Sequence, residues 1–187
     1  MFARGSDAAY RRSQLATGTP VHPSPIARGL ALRVLDAGDD AAERQRIGQH
    51  LLDELNQLSR LPDCRLVVAD RPQVHHHDGQ RLRSKTYGYY SFKAAPEGGL
   101  AWARIRIYHR TAVQQRVVSA KVFLNTLLHE WVHHSDFHGL SLPRSYHTSG
   151  FFKRLRALAD ALEVGFVLPP DPENPGPAGA PNGQLPS

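Results

Sequence analysis

The segment from Ser119 to about Phe137 constrains the fold more than any other part of this 187-residue chain. Apolar side chains lie on nearly every side of the helix that this segment predicts, and they are Val122, Phe123, Leu124, Leu127, Leu128, Trp131 and Val132. A helix that is apolar all round must lie inside a core, with other elements packed on several sides. Gly139 predicts its C-terminal end. We therefore expect the chain to fold around this helix.

His129, Glu130 and His133 lie among the apolar residues of this helix. Burying them without partners would be costly, and a bound metal ion offsets that cost. Residues four apart lie on one face of a helix, so two imidazoles can reach one zinc ion at roughly 2.0–2.1 Å. Glu130 then lies beside the metal, where it can accept a proton from a zinc-held water and pass it to the leaving amine.

This spacing is the HExxH motif of zinc peptidases, and composition alone predicts about 0.02 chance matches in a chain of this length. The alternative interpretation is structural. In that case Glu130 pairs with a basic residue and the two histidines find partners in the core.

A catalytic zinc ion usually has three protein ligands and one open position, so a third ligand must come from elsewhere. We predict His147, because it lies just before the last helix. The loop over residues 139–144 is long enough to bring it back over the helix face. Three alternatives remain open, namely Asp136, His138 and Glu163.

Other histidines have weaker claims to a metal. His134 follows His133, but on a helix it points about 100° away, which predicts a supporting or solvated role. The run of residues 75–77 is three histidines in a polar loop, and we interpret it as surface that could bind metal adventitiously.

The rest of the body predicts a small α+β domain. A helix begins at Asp39 or Asp40 and runs to about Leu61, where Pro62 ends it. Short strands are predicted over 64–69, 85–92 and 100–108, with a polar loop over 70–83. The last strand alternates strictly, which predicts one buried face. A final helix over 149–163 is predicted to pack Phe151 inward and to point Lys153, Arg154 and Arg156 outward.

Composition suggests three regions along the chain. Residues 1–27 are predicted to be a flexible tail, residues 28–168 the folded domain, and residues 169–187 a disordered tail rich in proline and glycine. Cys64 is the only cysteine, which excludes an intramolecular disulfide or a cysteine-rich zinc site. The sequence predicts no secretory signal and no membrane span, so we expect a cytoplasmic protein. The net charge of +6 predicts a basic surface that can attract nucleic acid.

Two stretches resemble one known family. Residues 127–134 (LLHEWVHH) and 147–155 (HTSGFFKRL) are similar to the SprT-like zinc metallopeptidases, over about residues 118–162 and more loosely over 100–117. The resemblance implies a compact zincin-like domain of the gluzincin type, with an N-terminal helix, a three-stranded sheet, the HExxH helix and a C-terminal helix.

The resemblance also implies site residues and a mode of substrate binding. His129, His133 and His147 would be the Zn²⁺ ligands, and Glu130 the catalytic acid and base. The edge strand of the sheet would bind a protein or peptide substrate by strand addition, and chain order makes residues 100–108 that strand. Unlike better-known members, this chain has no cysteine-rich zinc ribbon after the catalytic segment and no obvious separate DNA-binding module.

Peptide hydrolysis also needs a group that stabilises the developing oxyanion. We predict Tyr146, with Tyr108, Arg144 and His134 as alternatives by proximity in sequence. The function expected from the sequence is therefore a zinc-dependent metallopeptidase. The alternative is a non-catalytic, basic, nucleic-acid-associated protein with a structural zinc site, and a fourth protein ligand would favour it.

Overall fold

The computed structural model describes residues 3–78 and 81–165, with the backbone alone for residues 3–7, 75–78 and 81–85. In this part of the chain the helices are α1 (Ala3–Leu15), α2 (Pro25–Asp36), α3 (Ala41–Ser59), α4 (Ala120–His138) and α5 (Ser149–Ala161). The strands are β1 (Arg65–Pro72), β2 (Val74–Asp78), β3 (Arg81–Thr86), β4 (Gly88–Ala94) and β5 (Leu100–Arg110). The predicted mixture of helices with a small three-stranded sheet is confirmed.

Strands β1, β5 and β4 form the three-stranded sheet, in that spatial order. Strand β5 runs parallel to β1 and antiparallel to β4. The expectation that residues 100–108 form the edge strand is therefore wrong, because β5 lies in the middle and β4 lies at the edge. The longest strand satisfies its backbone donors and acceptors on both sides when it lies centrally, and chain order does not reveal this.

The segment 70–83, predicted to be a loop, contains a second sheet. Strands β2 and β3 pair antiparallel as a hairpin, with Val74 opposite Thr86 and Asp78 opposite Arg81. Its sequence is polar and rich in histidine, so it lacks the apolar alternation on which strand prediction depends.

Helix α4 lies in the core, as its apolar circumference predicts. It packs against β4 and β5 on one side and against α2, α3 and α5 on the others. Trp131 is fully buried, and its indole N–H donates to the side-chain oxygen of Asn56 on α3 at 2.8 Å. The side chain of Ser119 accepts a hydrogen bond from the backbone of Val122 and caps the start of the helix.

Helix α3 confirms the predicted first long helix. Asp40 is its N-cap and accepts a hydrogen bond from the backbone N–H of Glu43 at 2.8 Å. Arg60 ends it in the left-handed conformation at φ 54°. Leu66 on β1 packs against α3 beside Gly48, so this helix covers the sheet next to α4.

The segment predicted to be a flexible N-terminal tail, residues 1–27, contains helix α1 and the start of α2. Ser13 on α1 is fully buried. Arg12 donates hydrogen bonds to the carbonyl oxygens of Leu140 and Ser141, so α1 docks on the loop between α4 and α5. Such docking stabilises a short polar helix through tertiary contacts, which local sequence patterns do not reveal. The predicted C-terminal tail, residues 169–187, lies outside the described residues.

Over residues 3–78 and 81–165, none of the helices combines the length and the apolar character needed to cross a lipid bilayer.

Candidate metal centre

Three histidines from two elements converge at one end of the core. His129 and His133 lie one turn apart on α4, and His147 lies just before Thr148, the N-cap of α5. The Nε2 atom of His147 lies 3.0 Å from Nε2 of His129 and 3.0 Å from Nε2 of His133. These three residues lie close enough to bind one metal ion.

The arrangement fits a metal with tetrahedral geometry. Two nitrogen ligands, each 2.0–2.1 Å from one zinc ion, are about 3.3 Å apart in a tetrahedral site. The observed separations of 3.0 Å need only a small outward movement to match this. The ring of Phe151 on α5, fully buried, lies under all three imidazoles, with centroid distances of 4.9, 4.6 and 5.0 Å to His129, His133 and His147.

Burial keeps these imidazoles neutral, which is the state that binds a metal. It lowers the pKa of His129 to about 4, with a further contribution from His147. It lowers the pKa of His133 to about 2, helped by the neighbouring histidines. The pKa of His147 is lowered by burial as well.

The structure gives the three alternative ligands other partners. Asp136 binds the guanidinium of Arg154 through both carboxylate oxygens, at 2.8 and 2.9 Å. His138 hydrogen bonds to the hydroxyl of Tyr90 at 2.8 Å. Glu163 lies 3.3 Å from Arg28. Of these candidates, His147 is the one that the fold brings to His129 and His133.

Glu130 lies beside the three histidines, 7% exposed. Burial raises the pKa of its carboxyl to about 7, and a hydrogen bond from the backbone N–H of Tyr90 on β4 opposes that shift. A carboxylate with a pKa near neutrality can both accept and return a proton. No sequence pattern identifies Tyr90 as its partner, because the contact joins an edge strand to a helix.

A series of buried polar contacts supports His133 from behind. Its Nδ1 lies 2.7 Å from Oγ of Ser145, and that hydroxyl donates to Asp136 at 2.7 Å. The prediction that Arg154 points outward is wrong, because Arg154 is 2% exposed and pairs with Asp136. Charged residues grouped on one side of a helix usually face solvent. Arg154 is buried because α5 packs against both α1 and α4, which the sequence pattern does not show.

A cleft of about 780 Å³ opens onto the histidines. Its walls come from the start of β4 and from α4. The lining residues include Tyr87, Gly88, Tyr89, Asn125 and Glu130, together with the three histidines. The described lining does not include Tyr146, Tyr108, Arg144 or His134. The ring of Tyr146 packs edge-on against Tyr10 of α1, with the ring centroids 5.7 Å apart. Its expected catalytic role stays a prediction.

His134 turns away from the cleft, as the helical geometry predicts. It is fully buried, its Nε2 lies 2.9 Å from the carbonyl oxygen of Pro62, and its Nδ1 lies 3.0 Å from the hydroxyl of Tyr90. The backbone of residues 75–77 forms part of β2, and their side chains lie outside the described part of the chain.

No family model, curated protein or solved structure matches this chain. The resemblance to SprT-like peptidases therefore stays a prediction from the residues quoted above. The structure brings together His129 and His147, which are 18 positions apart in sequence.

Proposed function

We propose that this protein is a zinc-dependent metallopeptidase. The observation that carries the proposal is the convergence of three neutral imidazoles with one buried carboxyl, that of Glu130, at the wall of an open cleft. His129, His133 and His147 would hold the metal. Three protein ligands and access from the cleft favour a catalytic site, because structural zinc sites are closed by four protein ligands.

A bound zinc ion would supply Lewis acidity, which lowers the pKa of a water molecule and polarises a carbonyl group. The protein's own contribution is the handling of the proton. Glu130 accepts it from the attacking water and delivers it to the leaving amine, and a pKa of about 7 suits both steps at neutral pH. The backbone N–H of Tyr90 faces this carboxyl and favours its ionised form.

Strand β4 is the proposed docking site for the substrate backbone. The N–H of Tyr90 points away from β5, towards Glu130. Because backbone direction alternates along a strand, the N–H and C=O of Gly88 point the same way, into the cleft. An extended peptide paired with this edge would lie beside Glu130 and the three histidines. Strand β4 therefore takes the place of residues 100–108, which chain order suggested as the docking strand.

The decisive experiment pairs metal analysis with hydrolysis. We expect one zinc ion per native chain and slow cleavage of an unfolded protein such as reduced casein. Glu130→Gln should keep the metal, since this residue is not a ligand, and should lower the cleavage rate by at least about 100-fold. Glu43→Gln, at a carboxylate of α3 that is 43% exposed and does not line the cleft, is the matched control and should cleave like the native protein.

Two results would contradict the proposal. One is a folded native protein that binds no metal after zinc is supplied. The other is a Glu130→Gln variant that retains native cleavage, since the activity would then come from another site or from a contaminating protease.

The outer face of the three-stranded sheet favours a second function, binding of single-stranded nucleic acid. On β5 this face carries Trp102, Arg104 and Arg106, while the alternate residues Ile105 and Ile107 face the core. The Arg104 guanidinium lies 5.4 Å from the ring centre of Trp102, which is 44% exposed. Alternating cations and aromatic rings suit phosphates and stacked bases.

Neighbouring strands extend this outer face. Opposite Arg104 lie Arg65 on β1 and Ser91 on β4, and opposite Trp102 lies Lys93. Over the outward positions of β1, β4 and β5, which are residues 65, 67, 69, 89, 91, 93, 102, 104, 106 and 108, the sequence has no carboxylate. Neither Arg104 nor Arg106 forms an ion pair with any residue that the structure describes.

Fluorescence anisotropy with a labelled oligothymidylate tests this second function. Reversing the charge of Arg104 by Arg104→Glu should weaken binding at least about tenfold, and added salt should weaken the native complex. Lys121→Glu, an equal charge change at the exposed start of α4, is the control. Equal losses in both variants would show attraction by net charge alone and would contradict a specific face.

A further inference from the structure

We propose that the end of helix α1, together with Arg154, Asp136 and Ser145, forms a supporting network that sets the tautomer of His133 and so organises the metal centre. The inference rests on the metal-binding part of the proposed function and is independent of peptide hydrolysis. It assigns a positioning role to residues that do not contact the metal.

The direction of each hydrogen bond follows from chemistry. Arg154 can only donate, and it donates to both carboxylate oxygens of Asp136. The ionised carboxylate can only accept, so the hydroxyl of Ser145 donates to it at 2.7 Å. The oxygen of Ser145 is then left to accept a hydrogen bond from Nδ1–H of His133 at 2.7 Å.

These hydrogen bonds select one tautomer of His133, the one that can bind a metal through Nε2. With its proton on Nδ1, the imidazole of His133 presents an unprotonated Nε2, and this is the atom that lies 3.0 Å from Nε2 of His147. Partners of this kind fix the ring orientation and the basicity of a metal-binding histidine. Asp136 therefore acts on His133 indirectly, through the hydroxyl of Ser145.

Helix α1 anchors the far end of this network. Arg154 donates to the backbone carbonyl oxygen of Ser13 at 2.8 Å and to that of Ala16. The hydroxyl of Ser13 lies 3.0 Å from that of Thr148, the N-cap of α5 and the neighbour of His147. The end of α1 thus contacts Thr148, the neighbour of His147, directly, and it is linked to His133 on α4 through Arg154, Asp136 and Ser145.

Gly150 shows how close this contact is. A Cβ atom at residue 150 would lie 2.0 Å from the carbonyl oxygen of Ser13 and 2.6 Å from that of Gln14. Both neighbours are backbone atoms and cannot move aside as a flexible side chain would. A methyl group at this position would separate α1 from α5 without altering any side chain of the network.

The test uses the full-length chain and two measurements. The first is the tautomer of His133 in metal-free protein, read from long-range ¹H–¹⁵N correlations of the imidazole and assigned with His133→Gln. The second is the zinc dissociation constant, obtained by competition with a chromogenic chelator. We expect Nδ1–H in the native protein, a shift towards Nε2–H in Ser145→Ala, and a zinc dissociation constant raised about tenfold or more.

The control is Ser59→Ala, which removes a serine hydroxyl that donates to Leu55 within α3. It should change neither measurement. Gly150→Ala should raise the zinc dissociation constant in the same direction as Ser145→Ala, because it displaces the end of α1.

Nε2–H in the native protein, or a Ser145→Ala variant with unchanged tautomer and affinity, would overturn the proposal. Because the tautomer is read without metal, it decides the network even if the native protein binds no zinc. Absence of zinc binding would count against the proposed function instead.

Discussion

The hydroxyl of Tyr90 lies 3.0 Å from Nδ1 of His134 and ties edge strand β4 to central helix α4. Because Nε2 of His134 donates to the carbonyl oxygen of Pro62, its Nδ1 accepts from the tyrosine. The tyrosine oxygen can then accept a hydrogen bond from Nε2 of His138, 2.8 Å away. Tyr90 thus contacts two histidines of α4 through its hydroxyl, and its backbone N–H hydrogen bonds to Glu130 of the same helix.

Removing this hydroxyl should destabilise the protein. Tyr90→Phe leaves the buried Nδ1 of His134 without a partner, so we expect a loss of about 1–3 kcal/mol in the free energy of unfolding, measured with urea. Zinc affinity should stay within about twofold, because the hydroxyl contacts His134 and His138 and none of the three proposed ligands. Tyr87→Phe, at a tyrosine that is 43% exposed, is the control. Equal losses in the two variants would contradict the role of the buried hydroxyl.

Loss of the third histidine should weaken metal binding. His147→Ala removes one of three converging Nε2 atoms, and we expect the zinc dissociation constant to rise by roughly 100-fold or more, beyond the 10- to 100-fold effect of losing a supporting partner. His138→Ala is the matched control, since this histidine contacts Tyr90 instead. If the two variants bound zinc equally well, the ligand assignment would be wrong.

Acid should destabilise the metal-free protein. Burial lowers the pKa values of five histidines, namely His129, His133, His134, His138 and His147. The unfolded chain therefore binds more protons below about pH 6.5, and stability falls as the pH falls, by on the order of 1 kcal/mol per pH unit for each of the three most buried histidines, His129, His133 and His134. The contributions of His138 and His147 are smaller, because solvent screens them. Glu130, with its pKa raised to about 7, opposes this from about pH 4.5 to 7. Burial also raises the pKa of Asp136, which acts in the same direction as Glu130.

Urea unfolding of the metal-free protein at several pH values measures this slope. The histidines outnumber the two carboxyls, so the net slope should be positive between about pH 4.5 and 6.5. His134→Gln should make it shallower, because it removes one fully buried group whose pKa is about 4. A slope that is zero or negative in the native protein would contradict the expected protonation states.

Strand β4 should tolerate no side chain at its first residue. A Cβ atom at Gly88 would lie 2.7 Å from the backbone oxygen of Arg106 and 2.9 Å from Cγ2 of Thr126. We expect Gly88→Ala to lower the free energy of unfolding by about 1–3 kcal/mol. Gly29→Ala on α2, where a Cβ meets nothing within 4 Å, should instead stabilise by about 0.5–1 kcal/mol. A Gly88→Ala variant as stable as the native protein would show that β4 can shift.

Local patterns were enough to predict the elements that carry the candidate site. The apolar circumference of α4 placed it in the core, and the His129–Glu130–His133 spacing placed two imidazoles and a carboxyl on it. The strict alternation of β5 predicted its buried face, on which Ile105 and Ile107 are 0% and 1% exposed. These features depend on residues within a few positions of one another, so periodicity reveals them.

Local sequence patterns do not predict contacts between distant segments. Chain order suggested β5 as the edge of the sheet, whereas its pairing with both β1 and β4 makes β4 the edge. The charge pattern of α5 predicted an exposed Arg154, whereas packing against α1 buries it beside Asp136.

The residue types and spacing along the chain therefore determined which helix is central and which groups could bind a metal. The tertiary structure decided that His147 lies close to His129 and His133, that the backbone N–H of Tyr90 faces Glu130, and that Arg154 links α1 to Asp136. The physical reason is that a helix or strand is selected by neighbours in sequence. A buried polar group, by contrast, needs whichever partner the packing brings within hydrogen-bond distance.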